Sequence, residues 1–135
     1  MRLPSTGSCD YKIDPSRSLA VVTVTGDVTG KHLADCVHRL RTDARWTDHT
    51  AVLWDERDVR RLDVTLDDIE EMVEQQTSGQ HGPDIVLTRR EDHEAVMRLY
   101  THRVRKTGRP AQVCSTLQCA LDLLGIDALP PELTD

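Results

Sequence analysis

Residues 19–25, Leu-Ala-Val-Val-Thr-Val-Thr, constrain the fold more than any other stretch of the chain. The run is apolar and β-branched, the composition of a central strand. Just before it, Cys9, Tyr11 and Ile13 alternate with polar residues, the period-two mark of a half-buried strand. Asp14-Pro15-Ser16-Arg17 between the two is turn chemistry. The chain therefore opens on a β-hairpin.

From there strands and helices alternate. Gly26-Asp27 ends the second strand, and Thr29 can cap a helix of about 13 residues whose inner face is Leu33, Val37, Leu40 and Ala44. Ala51–Trp54 reads as a third strand ending at Asp55, followed by a charged loop over residues 56–64. A second helix opens at Thr65, with Leu66, Ile69, Met72 and Val73 inward and carboxylates in its first turns, where the helix dipole favours them. After the break at Ser78–Pro83 comes a short buried strand, Asp84–Thr88. A third helix runs from Glu91 to Lys106, with Val96, Leu99, Tyr100 and Val104 inward. Ala111–Cys114 is the last strand, and Leu117, Ala120, Leu121 and Leu124 form the inner face of a last helix that Gly125 stops.

The order ββαβαβαβα requires parallel neighbours joined by right-handed crossovers. The expected fold class is α/β: a single layered domain with a mixed, mostly parallel five-stranded sheet and helices packed on it. Its expected extent is 9–126, between a flexible N-terminal tail, 1–8, and a loose C-terminal tail, 127–135. A chain of 135 residues suits one such domain. With no Phe and only two Trp and two Tyr, its core must be aliphatic.

Charge narrows the function. The net charge of −6 disfavours a general nucleic-acid binder, whose affinity comes from neutralising phosphates, and also disfavours docking to anionic membranes. Acids dominate residues 55–74 and arginines dominate 89–109, a polarity that either steers a partner or marks two solvated faces. No stretch is apolar enough to span a membrane, the N-terminus lacks the apolar run of a signal peptide, and the four cysteines form no C-x-x-C pair. A reduced, cytoplasmic protein is the expectation.

The element order resembles that of STAS domains, the SpoIIAA-like fold of anti-sigma-factor antagonists. Those domains carry a strand ending in Asp, a short loop, and Asp-Ser-Ser-Gly at a helix start. Here Leu53-Trp54-Asp55 ends a strand, and Asp63-Val64-Thr65 follows eight residues on. Tyr11–Asp14, the Val-rich strand with Gly26, and the ending Val113-Cys114 with Ala120, Leu121, Leu124 and Gly125 are also similar to small bacterial STAS-like proteins. The resemblance covers about residues 9–126. It implies that Thr65 stands where the family's phosphorylatable Ser would sit, with Val64 and Leu66 in place of the neighbouring Ser and Gly.

Each candidate site has a plainer alternative. Thr65 is a switch at a helix N-terminus, or an N-cap whose capping box Asp68 completes. Asp55, Glu56, Asp58 and Asp63 lie near strand ends and have the oxygen ligands Mg²⁺ takes, but Arg57, Arg60 and Arg61 between them favour local salt bridges, and no metal is assigned. His32 and Cys36 share a helix face without a second ligand cluster. His93 and His102 are read as exposed on the basic helix. Cys114, at a strand end before a helix, is a nucleophile or a core residue. Arg89, Arg90, Arg98, Arg103, Arg105 and Lys106 can meet an acidic protein surface or a lipid head group.

The expected function is a non-enzymatic regulatory or protein-interaction domain. Its partner surface comprises Asp55, Arg57, Asp58, Arg60, Arg61, Asp63 and Thr65, and it uses no cofactor. The partner would be a protein such as an anti-sigma factor or kinase, or a second copy of the chain in a homodimer. Two alternatives are a small lipid- or ligand-binding protein of STAS or SEC14 type, and a small hydrolase built on Cys114 or the acidic loop.

Overall fold

The alternation read from the sequence is the one the chain adopts. The computed structural model describes residues 7–75 and 82–133. In these, β1 (Ser8–Asp14), β2 (Leu19–Thr29), α1 (Gly30–Thr42), β3 (Ala51–Asp63), α2 (Leu66–Gln75), β4 (Asp84–Leu87), α3 (Glu91–Lys106), β5 (Ala111–Cys114) and α4 (Leu117–Leu124) precede a 3-10 turn at Pro131–Leu133. The strands lie in sequence order, with β1 antiparallel to β2 and every other pair parallel. Residues 1–6 of the expected N-terminal tail, residues 78–81 of the expected break and residues 134–135 lie outside the described residues.

Local chemistry explains the joints. Asp14 Oδ1 accepts from the Ser16 amide at 3.0 Å, which tightens the β1–β2 turn. Thr29 caps α1 by accepting from the His32 amide, while His32 Nδ1 accepts from the Thr29 amide at 3.0 Å. Gly125, with φ of +71°, closes α4 in the left-handed conformation that glycine adopts without cost.

Helices α1, α2 and α3 cover one face of the sheet, over a core that includes Val22, Val24, Leu33, Val37, Trp54, Ile69, Met72, Met97 and Tyr100. On the other face α4 and the C-terminal turn pack on Leu19, Val21, Leu53, Ile85 and Leu87. The C-terminal stretch was expected to be loose. Instead Leu133 is buried there and Leu129 packs beside it, so apolar contact holds this segment to the sheet through residue 133.

The largest departure is in β3, where the expected charged loop 56–64 is mostly strand. β3 runs on to Asp63 and pairs with an equally prolonged β2, from Thr25↔Asp58 to Thr29↔Asp63. Two register shifts accompany it. Between Thr23 and Thr25, β3 advances from Asp55 to Asp58, and between Gly26 and Asp27 it advances from Val59 to Arg61. β3 thus holds one extra residue at each shift, a pair of β-bulges. Gly26, with φ of +76°, supplies the backbone conformation at the second. β4 pairs with β3 only as far as Asp55↔Leu87, so beyond that point β2 and β3 project as a two-stranded arm.

Helix α3 is rotated from expectation. Its buried stripe is His93, Met97, Tyr100, Thr101 and Val104, while Leu99 is 39% exposed. His93, read as exposed, is buried at 4%. The stripe has helical spacing, and it places His93 in the first turn, over the end of the sheet.

Candidate functional site

The seven expected partner residues all fall on β3 or just past it, but the structure does not gather them into one patch. Asp55, Arg57 and Asp58 line a groove of about 430 Å³ on the α4 face of the sheet, together with Asp10 and Lys12 of β1 and Thr23 of β2. Arg57 binds Asp55 through two bonds, Nε to Oδ1 at 2.9 Å and Nη2 to Oδ2 at 2.8 Å. Burial pulls the Asp55 carboxyl upward, but Arg57 holds it below the usual range.

Arg60 sits at the second bulge and reaches back across the arm. Its Nε and Nη2 donate to Asp27 Oδ1 and Oδ2 at 2.8 and 2.7 Å. That fork lowers the Asp27 carboxyl, and it pins the arm's two strands together at their tip. Arg90, at the start of α3, donates to the Arg60 carbonyl at 2.8 Å and covers the edge that β4 leaves open.

Thr65 and the first turn of α2 lie on the helix-covered side. The Thr65 amide donates to Asp68 Oδ2 at 2.9 Å, and the Asp68 amide donates to Thr65 Oγ1 at 3.1 Å. This reciprocal pair is the capping box, so the Thr65 hydroxyl serves as the N-cap. The start of α1 is pressed against it: a Cβ on Gly30 would stand 2.1 Å from Asp68 Cγ. Next to the cap, Leu66 is 49% exposed, although it was expected to face inward. Arg61, Asp63, Thr65, Asp67, Glu71 and Glu74, before and after it in the chain, are exposed as well. Between α1 and α2 runs a cleft of about 340 Å³ whose charged lining is Asp35, Asp68 and Glu71, with Lys31 and His38 on its α1 side.

Two buried features depart from the sequence reading, in which Glu56 is one of four loop carboxylates and Asp84 only the head of a strand. Glu56, at the first bulge, is 2% exposed, and its Oε1 has no hydrogen-bond partner. Burial first, and the neighbouring Asp55 charge second, push its carboxyl up to about 8. The other is Asp84, buried at the start of β4. It accepts from Arg109 Nη2 at 2.7 Å and from the Tyr100 hydroxyl, while Arg109 Nε donates to the Gly82 carbonyl at 3.1 Å. Burial raises the Asp84 carboxyl against the pull of Arg109. This network ties β4, α3 and the α3–β5 loop together. Only the Asp heading an apolar strand hinted at it.

The remaining candidates resolve one by one. His32 serves the α1 cap, while Cys36 is fully buried and interacts with Cys9. Among the described residues, no three of His, Cys, Asp and Glu group closely enough to hold a metal ion. Burial lowers His93 below the usual imidazole range. Cys114 is buried, and burial followed by the Cys119 thiol pushes it up to about 12, where it stays protonated at neutral pH. The basic face of α3 is largely engaged internally: Arg98 with Glu94, Arg103 with Glu70 of α2, and Arg105 with the Ala111 carbonyl at 2.8 Å.

No helix among the described residues is long and apolar enough to cross a membrane. No family model matches the sequence, and no curated protein is significantly similar to it. Solved structures do match. An uncharacterised protein of the DUF3478 family from Shewanella loihica PV-4, described as having a SpoIIAA-like fold, superposes with a TM-score of 0.58. At 12% identity, the match covers 92% of this chain and 98% of that one. Agreement over nearly the whole of both chains matches the strand order and crossovers described above, and the chain has the SpoIIAA-like fold.

Proposed function

We propose that the chain is a non-enzymatic regulatory domain that docks a basic protein surface through the start of α2, with Thr65 as its switch. One observation carries this reading: Leu66 stands 49% exposed on a firmly capped first turn whose neighbouring residues include the exposed acids Asp63, Asp67 and Glu71. An apolar anchor ringed by charge is a frequent arrangement at protein–protein contacts. Asp63, Asp67 and Glu71 would meet Lys and Arg side chains of the partner, and Leu66 would enter an apolar socket among them. An anti-sigma factor or a kinase is the class of partner that the fold resemblance suggests.

Phosphorylation of Thr65 would act through the capping box. A phosphate adds about −2 charge where Asp63, Asp67 and Asp68 already stand, and it takes the hydroxyl oxygen out of its bond to the Asp68 amide. The first turn of α2 would loosen and Leu66 would lose its fixed position. A lipid reading has less support. The apolar space between α1 and the sheet, lined by Val37, Leu40, Trp46 and Trp54, amounts to about 10 Å³, which is about what one water needs.

The test is affinity capture from the host lysate, with each bound protein identified by mass. Wild type is compared with Leu66→Asp, Glu71→Lys and Leu123→Asp; Leu123, on α4, is a leucine exposed to a similar degree, 43%. A basic protein lost with the first two variants and kept by the third supports the reading. An unchanged set of bound proteins across all four chains defeats it. Thr65→Glu should release the same protein, and Thr65→Ser, which keeps the oxygen that caps the first turn, should hold it.

A further inference from the structure

We propose that Cys114 and Cys119 are a reversible dithiol, closed to an intramolecular disulfide by a peroxide and reopened by a small thiol such as reduced glutathione. Cys114 is the last residue of β5, and Cys119 lies in the first turn of α4. Their sulfurs stand 2.7 Å apart. That is closer than two unbonded sulfurs ordinarily rest, against about 2.05 Å for the bond itself. The approach is built into the joint. Thr116, between the two cysteines, caps α4 by accepting from the Cys119 amide at 3.1 Å. The Cys114 carbonyl accepts from the Thr88 amide at 3.0 Å. Both backbones are therefore held while the side chains face each other.

The pair is also asymmetric in exposure. Cys119 is half-buried and open to a small oxidant, whereas Cys114 is buried behind it. Peroxide chemistry would start at Cys119: its sulfur takes one peroxide oxygen, the O–O bond breaks, and water leaves, with Cys119 now a sulfenic acid. The Cys114 sulfur then attacks the Cys119 sulfur. The S–S bond forms, and hydroxide departs with the Cys114 proton as a second water. Two thiols lose two electrons, and one hydrogen peroxide gains them. Cys114, buried behind Cys119 and out of a peroxide's reach, would not react first; it acts as the resolving thiol, giving up its proton as it attacks. Cys9 and Cys36, also adjacent but both buried, offer an oxidant no comparable entry and serve as an internal reference.

The full chain, reduced and freed of reductant, is treated with a small excess of hydrogen peroxide, alkylated and digested with trypsin. Residues 107–135 form one tryptic peptide carrying both cysteines, since Arg109 precedes Pro110. The expected result is that this peptide becomes lighter by two hydrogens and resists alkylation, while Cys9 and Cys36 remain alkylatable after unfolding. Reduced glutathione restores both thiols. In Cys114→Ala, Cys119 stops at a sulfenic acid that dimedone traps; in Cys119→Ala, Cys114 remains a thiol. The proposal is overturned if wild-type Cys119 passes to sulfinic acid with Cys114 still alkylatable, if Cys9–Cys36 oxidises first, or if peroxide leaves all four thiols unchanged.

Discussion

The two halves of β3 obey different rules. Residues 51–55 lie between β2 and β4, and Val52, Leu53 and Trp54 are buried with side chains on both faces of the sheet. Residues 56–63 pair only with β2, carry two extra residues at the bulges, and expose Asp58, Arg60, Arg61 and Asp63. The first half is held by apolar burial. The second adds only Val59 and Leu62 to the core and relies more on ladder hydrogen bonds to β2, with the fork from Arg60 to Asp27 at its tip. One strand thus passes from scaffold to surface, and the bulges mark the passage. The arm delivers the chain to Thr65 and α2, so the docking surface follows a stretch that gives Val59 and Leu62 to the core and turns its charged side chains to solvent.

Truncation is the strongest way to break that contrast. Leu53 is fully buried in the α4-side core. Leu53→Ala should cost about 3 kcal/mol of unfolding free energy, from lost burial plus the cavity left behind. It should be read as a shift in the urea midpoint with the slope unchanged. Arg60→Ala, a few residues further along the same strand, should leave that midpoint in place, because its ion pair is largely solvated. Equal shifts for the two variants would mean that the arm is as integral to the core as the sheet.

These halves also differed in how legible they were. In residues 51–54 a short apolar run bounded by Thr50 and Asp55 announces a strand. In residues 56–63 each bulge inserts a residue and resets the alternation, so Glu-Arg-Asp-Val-Arg-Arg-Leu-Asp presents no period of two and reads as a loop. Elements whose pattern was unbroken were read well: the β1–β2 hairpin, the Thr65–Asp68 capping box, and α1 with its Thr29 cap, except that Ala44, expected on its inner face, is exposed past the end of the helix at Thr42. On α3 the true stripe, His93-Met97-Tyr100-Val104, includes a histidine, and a polarity-based reading turned the helix toward Leu99. Leu66 was misplaced because it keeps the helical spacing of Ile69 but stands before the helix has met its neighbours. The contacts of Asp84 with Arg109 span 25 residues, a separation that no local pattern encodes.

Glu56, at the join of the two halves, sharpens the comparison through pH. Its folded carboxyl titrates near 8, above the ordinary 4.5. From 4.5 to 8 the folded chain holds a proton that the unfolded chain has released, so stability falls as pH rises through that window. His93 acts oppositely below its ordinary 6.5, since it is lowered by burial and favours unfolding as pH falls. The clean interval is therefore pH 6.5 to 8. There Glu56 should remove about 2 kcal/mol, at about 1.4 kcal/mol per pH unit. Glu56→Gln keeps the shape and has no proton to lose. The difference between wild-type and variant unfolding free energies should drop by that amount across the interval; a constant difference would mean that Glu56 is hydrated in the folded chain.

The smallest effect separates the cap from the strand that delivers it. Thr65→Ala removes the oxygen that accepts from the Asp68 amide and should cost about 1 kcal/mol, typical of a lost N-cap. Thr65→Ser keeps the oxygen and should cost less. The loss should be local, because α2 is held by Ile69 and Met72 further along, whose burial the first turn does not control. Amide exchange reads this directly. The amides of Leu66, Asp67 and Asp68 should exchange faster in Thr65→Ala, while those of Val59 and Leu62 on the arm should keep their rates. If the arm loosened together with the first turn, β3 beyond its bulges and the start of α2 would open as one unit. A modification at Thr65 would then be felt along the strand as well as at Leu66.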